Sequence, residues 1–175
     1  AKTLHVRYVL VSECVYQPCE RVRSLAFLAN GSLMPPFEYD IADTTCEAVF
    51  ATREPVHHPD RVQERFPRME ALVTMGVRSY LGVPLITPGG STTGHIFIMD
   101  DRKLADPARA TELLMNIAPR TAMEVERYRE DAMVRASETR LRSILESLED
   151  GVLVVDLHSI ITYLNGSAAV MGERD

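Results

Sequence analysis

The chain has no tryptophan and only three cysteines among its 175 residues. Cys14, Cys19 and Cys46 are odd in number, and their spacing matches neither a zinc motif nor a disulfide framework. A small fold held together by several disulfides or by zinc is therefore not expected. Sparse cysteines without such a framework are typical of a reducing compartment, so we predict a cytoplasmic location.

A basic excess and a long apolar run are also missing. The 19 Lys and Arg residues stand against 25 Asp and Glu residues, and the formal net charge is −6. Nucleic acid and anionic membrane surfaces attract basic proteins, so neither is an expected partner. No stretch approaches the ~20 apolar residues that cross a bilayer, and no signal pattern opens the chain. A composition of 46% hydrophobic and 25% charged residues is typical of a folded globular domain.

The first third of the chain contains two β-rich stretches, at residues 5–15 and 20–33. Both are rich in β-branched and aromatic residues, and a break near Pro18 separates them. The Asn-Gly pair at 30–31 is a turn signal near the end of the second stretch. We therefore predict two antiparallel strands here.

A short helix is predicted after these strands. Its start is marked by the Asp-Thr-Thr run at 43–45, whose side chains favour an N-cap, and its end by Pro55. Cys46, Val49 and Phe50 recur at helical spacing and give the helix one apolar side.

The middle of the chain predicts a loop, a short helix and a hairpin. Residues 55–66 show no clear period and are interpreted as a loop with a short strand at 56–57. Residues 69–76 have helical spacing and end on a glycine, which is typical of a C-terminal cap. Residues 79–86 and 94–100 are strand-like runs on either side of a Pro-Gly-Gly turn.

Two residues make the first strand of this hairpin irregular. Pro84 cannot donate to a ladder and usually marks an edge or a bulge, and a glycine such as Gly82 marks a bulge or a close backbone approach. In the second strand, Phe97 and Met99 are two residues apart and therefore lie on the same face.

A long helix is predicted from Asp106 and Pro107 to about Leu148, with Asp106 as N-cap. Pro119 is expected to bend it, and the apolar seam changes phase after Met133. The seam has steps of four and three residues, and its first part comprises Leu114, Ala118, Thr121, Val125, Tyr128 and Ala132. We therefore predict a parallel homodimer with a contact along the helix from Leu114 to Leu148.

Residues 75–101, MGVRSYLGVPLITPGGSTTGHIFIMDD, carry a family resemblance. With the preceding DTTCEAV and ERFPRMEAL segments and the following helix, they resemble GAF domains of bacterial sensor kinases over roughly residues 4–130. The resemblance implies an α+β fold: a central antiparallel sheet, terminal helices on one face, and shorter helices enclosing a ligand pocket on the other. It also implies that the usual N-terminal helix is truncated or missing, because little chain precedes the first strand.

Residues 140–172, RLRSILESLEDGVLVVDLHSIITYLNGSAAVMG, end in two strand-like runs and resemble the opening of PAS domains. The expected organisation is a GAF domain at 1–130, a helical linker at 131–148 and the start of a PAS domain at 149–175. A lone hairpin is marginal in water, so the last segment is not expected to form a domain by itself.

The GAF resemblance implies a pocket, and the residues indicate which ligands that pocket could bind. Cys46 is followed by Glu47 and lacks the histidine typical of a bilin attachment site, and the signature of cyclic-nucleotide-binding members is missing. Haem has no support, and adjacent His57 and His58 on an extended segment point to opposite faces, so no metal is expected. His95 and the Asp100-Asp101 pair are interpreted as structural. The candidate pocket-lining residues are Phe27, Cys46, Val49, Phe50, Leu72, Met75 and Tyr80.

These features favour a non-enzymatic sensory module. A small molecule or partner would bias the domain between two arrangements, and the long helix would pass the change to PAS and output domains of a histidine kinase, diguanylate cyclase or transcriptional regulator. Two alternatives stay open: a GAF-fold redox enzyme that uses Cys46, and a dimerisation scaffold without a ligand. The cysteine spacing does not resemble that of the family's methionine sulfoxide reductase.

Overall fold

A computed structural model describes Leu4 and residues 6–172, and divides the chain into units at Ala1–Arg127 and Tyr128–Asp175. The first unit is built on a seven-stranded antiparallel sheet in the order β3-β2-β1-β7-β6-β5, with β4 also paired to β2. Its strands are β1 Tyr8–Cys14, β2 Arg21–Ala29, β3 Ser32–Met34, β4 Glu38–Asp40, β5 Val56–His58, β6 Ser79–Ile86 and β7 Thr92–Asp100. The helices are α1 Glu47–Thr52, α2 Val62–Arg65, α3 Glu70–Thr74 and α4 Pro107–Glu146, which continues into the second unit. The expected α+β fold is confirmed.

The sheet buries both of its faces because side chains alternate along each strand. On one face, which we call the α4 face, residues such as Leu81, Val83, Ile96 and Ile98 pack against Ala110, Leu114, Ala118, Ala122 and Val125 of α4. On the other, the cavity face, residues such as Tyr8, Leu10, Phe97 and Met99 pack against Cys46, Val49, Val62, Leu72 and Val77. The short helices α1–α3 therefore cover the face opposite to α4.

Helix α4 is one continuous 40-residue helix that includes Pro119. The Asp106 carboxylate accepts a hydrogen bond from the Arg109 backbone N–H at 2.9 Å, which confirms the predicted N-cap. Leu114, Ala118 and Val125 of the predicted seam pack against the chain's own sheet. The large exposed hydrophobic residues of α4 beyond this packed part are Tyr128, Met133, Val134, Leu141 and Ile144.

Most predicted elements are present, and the shortest ones were missed. The turn at 30–31 divides the predicted strand 20–33 into β2 and β3, and β7 begins at Thr92 rather than at 94. Strand β4 and helix α2, which lies in the segment predicted as a loop, were not predicted. They have three and four residues, too few for a hydrophobic period to be read. Residues 1–3, 5 and 173–175 of the predicted elements lie outside the described residues.

Cys14 and Cys19 form a disulfide, with their Cα atoms 5.3 Å apart, although the spacing of the three cysteines fits no disulfide framework. Cys14 ends β1 and Arg21 begins β2, and the tight connection between the antiparallel strands brings Cys19 back to Cys14. The cysteines therefore no longer argue for a reducing compartment, and the cytoplasmic location stays a prediction. Among the described residues, no helix has both the length and the apolar character needed to cross a membrane.

The second unit contains the end of α4, an antiparallel hairpin of β8 Leu153–Val155 and β9 Ile161–Leu164, and α5 Gly166–Gly172. The predicted hairpin is therefore confirmed. Asn165 holds the unit together, since its Nδ2 donates to the carbonyl oxygens of Leu145 and Asp150 at 3.0 Å. Its Oδ1 accepts from the Val152 N–H at 2.8 Å.

The irregular pairing expected in β6 lies elsewhere than predicted. The register shifts between Leu85 and Ile86, not at Gly82. Pro84 lies beyond the three residues of β6 that pair with β5, so the missing N–H falls where β6 has only one neighbouring strand. Gly82 is instead a site of close approach: a Cβ there would overlap the Tyr80 hydroxyl and lie 2.7 Å from Tyr80 Cζ.

We predict that Gly82→Val lowers the free energy of unfolding by about 1–3 kcal/mol, the usual cost of overpacking a core. The Tyr80 ring cannot yield easily, because it is 1% exposed and packs against Phe97. Urea unfolding followed by circular dichroism measures the change. Gly89→Val is the matched control, since the nearest atom to a Cβ at 89 is 3.8 Å away. Equal stability of the two variants would contradict the close approach.

Candidate functional site

A cavity of about 280 Å³ lies on the cavity face, between the sheet and the segment from Thr44 to Met75. Strands β1, β2 and β7 contribute the side chains of Leu10, Phe27, Phe97 and Met99. Residues 37–40, in and beside β4, extend this side. The opposite wall comes from residues 44–46, just before α1, and from α3 with the residues next to it. The complete lining is Leu10, Phe27, Phe37, Tyr39, Asp40, Thr44, Thr45, Cys46, Met69, Glu70, Ala71, Leu72, Met75, Phe97 and Met99. The lining is mostly apolar, as in small-molecule sites.

The cavity brings together four of the seven candidate residues: Phe27, Cys46, Leu72 and Met75. The other three, Val49, Phe50 and Tyr80, lie outside its lining. Val49 and Tyr80 are buried in the core beside it. The Phe50 ring packs edge-on against the His95 ring at 5.1 Å. The polar and charged residues of the lining are Tyr39, Asp40, Thr44, Thr45, Cys46 and Glu70.

A buried cluster of polar side chains adjoins this cavity at Cys46. The Cys46 sulfur is 3.5 Å from the Tyr39 hydroxyl and 3.8 Å from the Thr45 hydroxyl. The same Tyr39 hydroxyl is 3.4 Å from His95 Nε2. Cys46 and His95 are 2% and 0% exposed, so the thiol and the imidazole meet away from bulk water.

Ser12 orients the imidazole from the neighbouring strand. Ser12 and His95 are paired across β1 and β7, so their side chains lie on the same face. Ser12 Oγ is 2.5 Å from His95 Nδ1 and 3.3 Å from the His95 carbonyl oxygen. A hydroxyl that donates to the carbonyl accepts from Nδ1–H, and we assign this tautomer from the network. Nε2 then has a free lone pair on the side of Tyr39 and Cys46.

This environment activates the thiol. Burial alone would raise the pKa of Cys46, but the positive charge of His95 once Nε2 takes up a proton, together with hydrogen bonds from His95 and Tyr39, lowers the pKa to about 7. A substantial fraction of Cys46 is therefore thiolate at neutral pH. The thiolate is the nucleophilic and oxidisable form of cysteine.

Two tyrosine hydroxyls stay protonated beside this thiol. Burial, and then the charge on Cys46, raise the pKa of Tyr39 and of Tyr80 well above the ordinary value. Both can therefore donate a hydrogen bond to an anion at Cys46. The Tyr80 hydroxyl is buried and makes no hydrogen bond of normal geometry to any residue that the structure describes.

The position of His95 in the sequence indicates a polar site on the cavity face, and the interpretation of His95 as structural did not use this signal. His95 is two residues before Phe97 and four before Met99, so strand alternation places all three on the cavity face. A histidine on an otherwise apolar face requires a polar partner. Tyr39 had no comparable signal, because β4 has only three residues.

The histidines at 57–58 and the Asp100-Asp101 pair give less support for a functional site. Among the described residues, no three His, Cys, Asp or Glu side chains are arranged to hold a metal ion. The His58 ring packs on Phe66 at 5.2 Å. Burial, followed by a hydrogen bond to Asp101, raises the pKa of Asp100, while Asp101 pairs with Arg7 at 2.9 Å.

Comparison with protein families gives a match to the GAF domain over residues 1–125. A comparison with curated proteins finds no match.

Solved structures of similar fold include three with different roles. The type II free methionine-R-sulfoxide reductase of Thermoplasma acidophilum has 21% identity and a TM-score of 0.56, over 70% of this chain and 80% of that one. The red-light-absorbing state of the red/green cyanobacteriochrome NpR6012g4 has 17% identity and a TM-score of 0.55, over 74% and 88%. The GAF domain of a two-component sensor histidine kinase from Bacillus halodurans has 16% identity and a TM-score of 0.50, over 73% and 88%. At these identities the likeness extends to the fold alone.

We predict that alkylation of Cys46 by iodoacetamide accelerates as the pH rises through about 7, because only the thiolate reacts and the pKa of Cys46 is lowered to about 7. Cys46 is the only free thiol of the chain's three cysteines, all of which the structure describes, so mass spectrometry reads it directly. In His95→Gln the midpoint should rise above 8, towards that of an ordinary thiol near ~8.5.

His57→Gln is the matched control, because it makes the same change at an exposed histidine. Its midpoint should stay at about 7. An equal midpoint in His95→Gln and in the unmodified chain would show that His95 does not activate the thiol.

Proposed function

This chain belongs to the GAF domain family, and we propose that it is the sensory module of a bacterial signalling protein, with a small apolar ligand bound in the cavity. The observation that carries this proposal is the cavity of about 280 Å³ on the face opposite to α4. Small-molecule sites have volumes of roughly 300–1,000 Å³, so the ligand should be small. An apolar lining with a few polar groups favours a molecule that is mainly hydrocarbon with one polar end.

Strand β7 offers a route from the cavity to α4. Phe97 and Met99 line the cavity, while Ile96 and Ile98 of the same strand pack on the α4 side. A ligand that favours one position of β7 would thereby favour one packing of α4, because densely packed cores transmit small shifts. The ligand needs a different affinity for the two arrangements, and no catalysis is required.

We further propose which segments follow the GAF domain and which output domain it controls. We retain the organisation with a GAF domain at 1–130, a linker at 131–148 and the start of a PAS domain at 149–175. The output domain would be a histidine kinase, a diguanylate cyclase or a transcriptional regulator. The similar GAF domain from Bacillus halodurans belongs to a two-component sensor histidine kinase, which supports the first of these. A cytoplasmic location fits such outputs.

A redox enzyme is the second candidate function, and the Cys46–His95–Tyr39 network favours it. The structural relative from Thermoplasma acidophilum is a free methionine-R-sulfoxide reductase. An assay of enzymatic reduction of free methionine sulfoxide, with dithiothreitol as the electron donor, distinguishes the enzyme from the sensor. Turnover that disappears in Cys46→Ser would favour the enzyme, and an absence of turnover in the unmodified chain would favour the sensor. A scaffold that binds nothing would fail both this assay and the ligand test below.

We predict that toluene, used as a small apolar probe, raises the Tm of the chain by binding in the cavity. Leu10→Phe should remove this shift, because Leu10 is fully buried in the cavity wall and added atoms there would occupy the empty volume. Leu33→Phe is the matched control, since Leu33 is 72% exposed. No Tm shift in the unmodified chain, together with no retained small molecule in native mass spectrometry, would contradict ligand binding.

We also propose a parallel homodimer through the part of α4 that does not pack on the sheet. Val134 and Leu141 are 57% and 58% exposed and lie one heptad apart, and Leu148 continues this stripe just after the helix. A second copy is the commonest partner that presents a matching stripe.

Val134→Glu with Leu141→Glu in the full chain should convert the dimer to a monomer in sedimentation at tens of micromolar, because charges would replace the apolar contact. Ser143→Glu is the control, because Ser143 lies on the opposite side of the helix at a spacing of 100° per residue. A monomer in the unmodified chain at this concentration would refute the proposal.

A further inference from the structure

The apolar cavity has an activated thiol in its wall. Cys46 lines the cavity, and behind it stand His95, which can hold a proton, and two tyrosine hydroxyls, which can donate hydrogen bonds. An apolar ligand in this space would therefore lie next to a nucleophile. The sensory proposal alone gives this cluster no role.

We propose that the cavity admits an organic hydroperoxide, which oxidises Cys46 to a sulfenic acid, and that this oxidation is the signal detected by the domain. The inference rests on the proposed ligand-binding function and names its ligand class. The step needs no metal and no cofactor, because the hydroperoxide is itself the oxidant.

The step balances with the groups present. The Cys46 thiol proton passes to His95 Nε2, and the thiolate attacks the terminal oxygen of R–O–OH. The S–O bond forms as the O–O bond breaks, the sulfur loses two electrons, and the peroxide is reduced by two electrons. The leaving alkoxide takes the proton from His95 and departs as the alcohol, and Cys46 is left as S–OH.

The cavity lining selects an organic peroxide over hydrogen peroxide. Leu10, Phe27 and Met75 offer apolar contact to a hydrocarbon group and nothing to a small polar molecule. Hydrogen peroxide would enter without any binding energy from these walls. The selectivity should therefore follow the apolar volume of the cavity.

The cysteine arrangement favours a persistent signal over turnover. Cys14 and Cys19 are joined to each other, so the chain has no further free thiol with which Cys46–SOH could condense. The new S–OH oxygen would also offer an acceptor to the Tyr80 hydroxyl, which is buried beside Cys46.

In the test, the full chain is treated with cumene hydroperoxide or with hydrogen peroxide. Sulfenic acid is trapped with dimedone, which does not react with methionine sulfoxide. We expect trapping at Cys46 to be at least about tenfold faster with cumene hydroperoxide, because burial of its hydrocarbon part provides binding energy. Leu10→Phe should abolish this preference because it fills the apolar volume, and Leu33→Phe, at a position that is 72% exposed, should change neither rate. Cys46→Ser should give no adduct.

A preference for hydrogen peroxide, or no adduct with either oxidant, would overturn the inference. His95→Gln gives a second readout that does not depend on cavity shape. Its rate with both oxidants should fall at pH 7, where less thiolate is present. The rate should recover only in part at higher pH, because the thiolate is restored but the proton that His95 gives to the leaving alkoxide is not. These experiments distinguish a failure of the peroxide step from a failure of the proposed ligand site. Toluene binding without oxidation would refute the peroxide step alone, and oxidation without toluene binding or cavity preference would refute the apolar ligand site.

Discussion

The arrangement of the domain depends on the alternation of side chains along β7. This strand lies inside the sheet, between β1 and β6. One of its faces packs against α4, and the other forms part of the cavity side. Its even-numbered residues Ile96 and Ile98 are aliphatic and meet α4, and its odd-numbered residues, which include His95 and Phe97, form the cavity side. A shift of one residue in register would exchange the two sets and bury the imidazole against α4, away from Ser12 and Tyr39.

The fold was largely predictable because long, periodic segments carry strong signals. The β6–β7 hairpin and the N-cap at Asp106 followed from residue patterns that act over short distances. The candidate site was only partly predictable. Phe27 and Met75 could be placed by their apolar character, whereas Tyr39 belongs to a three-residue strand positioned by its pairing with β2. Contacts between distant segments decide such elements, and a single sequence does not display them.

The seam of α4 and the cysteine pair show that a local pattern does not identify its partner. Heptad-like spacing indicates an apolar stripe but does not identify the surface that covers it, and the chain's own sheet covers the stripe at Leu114, Ala118 and Val125. Cys14 and Cys19 fit no framework of several disulfides, yet the β1–β2 connection folds them together. In both cases the local pattern was real, and its partner lay in the tertiary structure.

The close approach of Tyr80 to Gly82 links two positions during evolution. The phenol of Tyr80 lies over the backbone at 82 and fills the space that a side chain there would occupy. A sequence that keeps the ring is therefore confined to glycine at 82, while one with a small residue at 80 is free to carry alanine or larger. Related chains should change the two positions together, and the order is fixed: the ring must be lost before the side chain is gained.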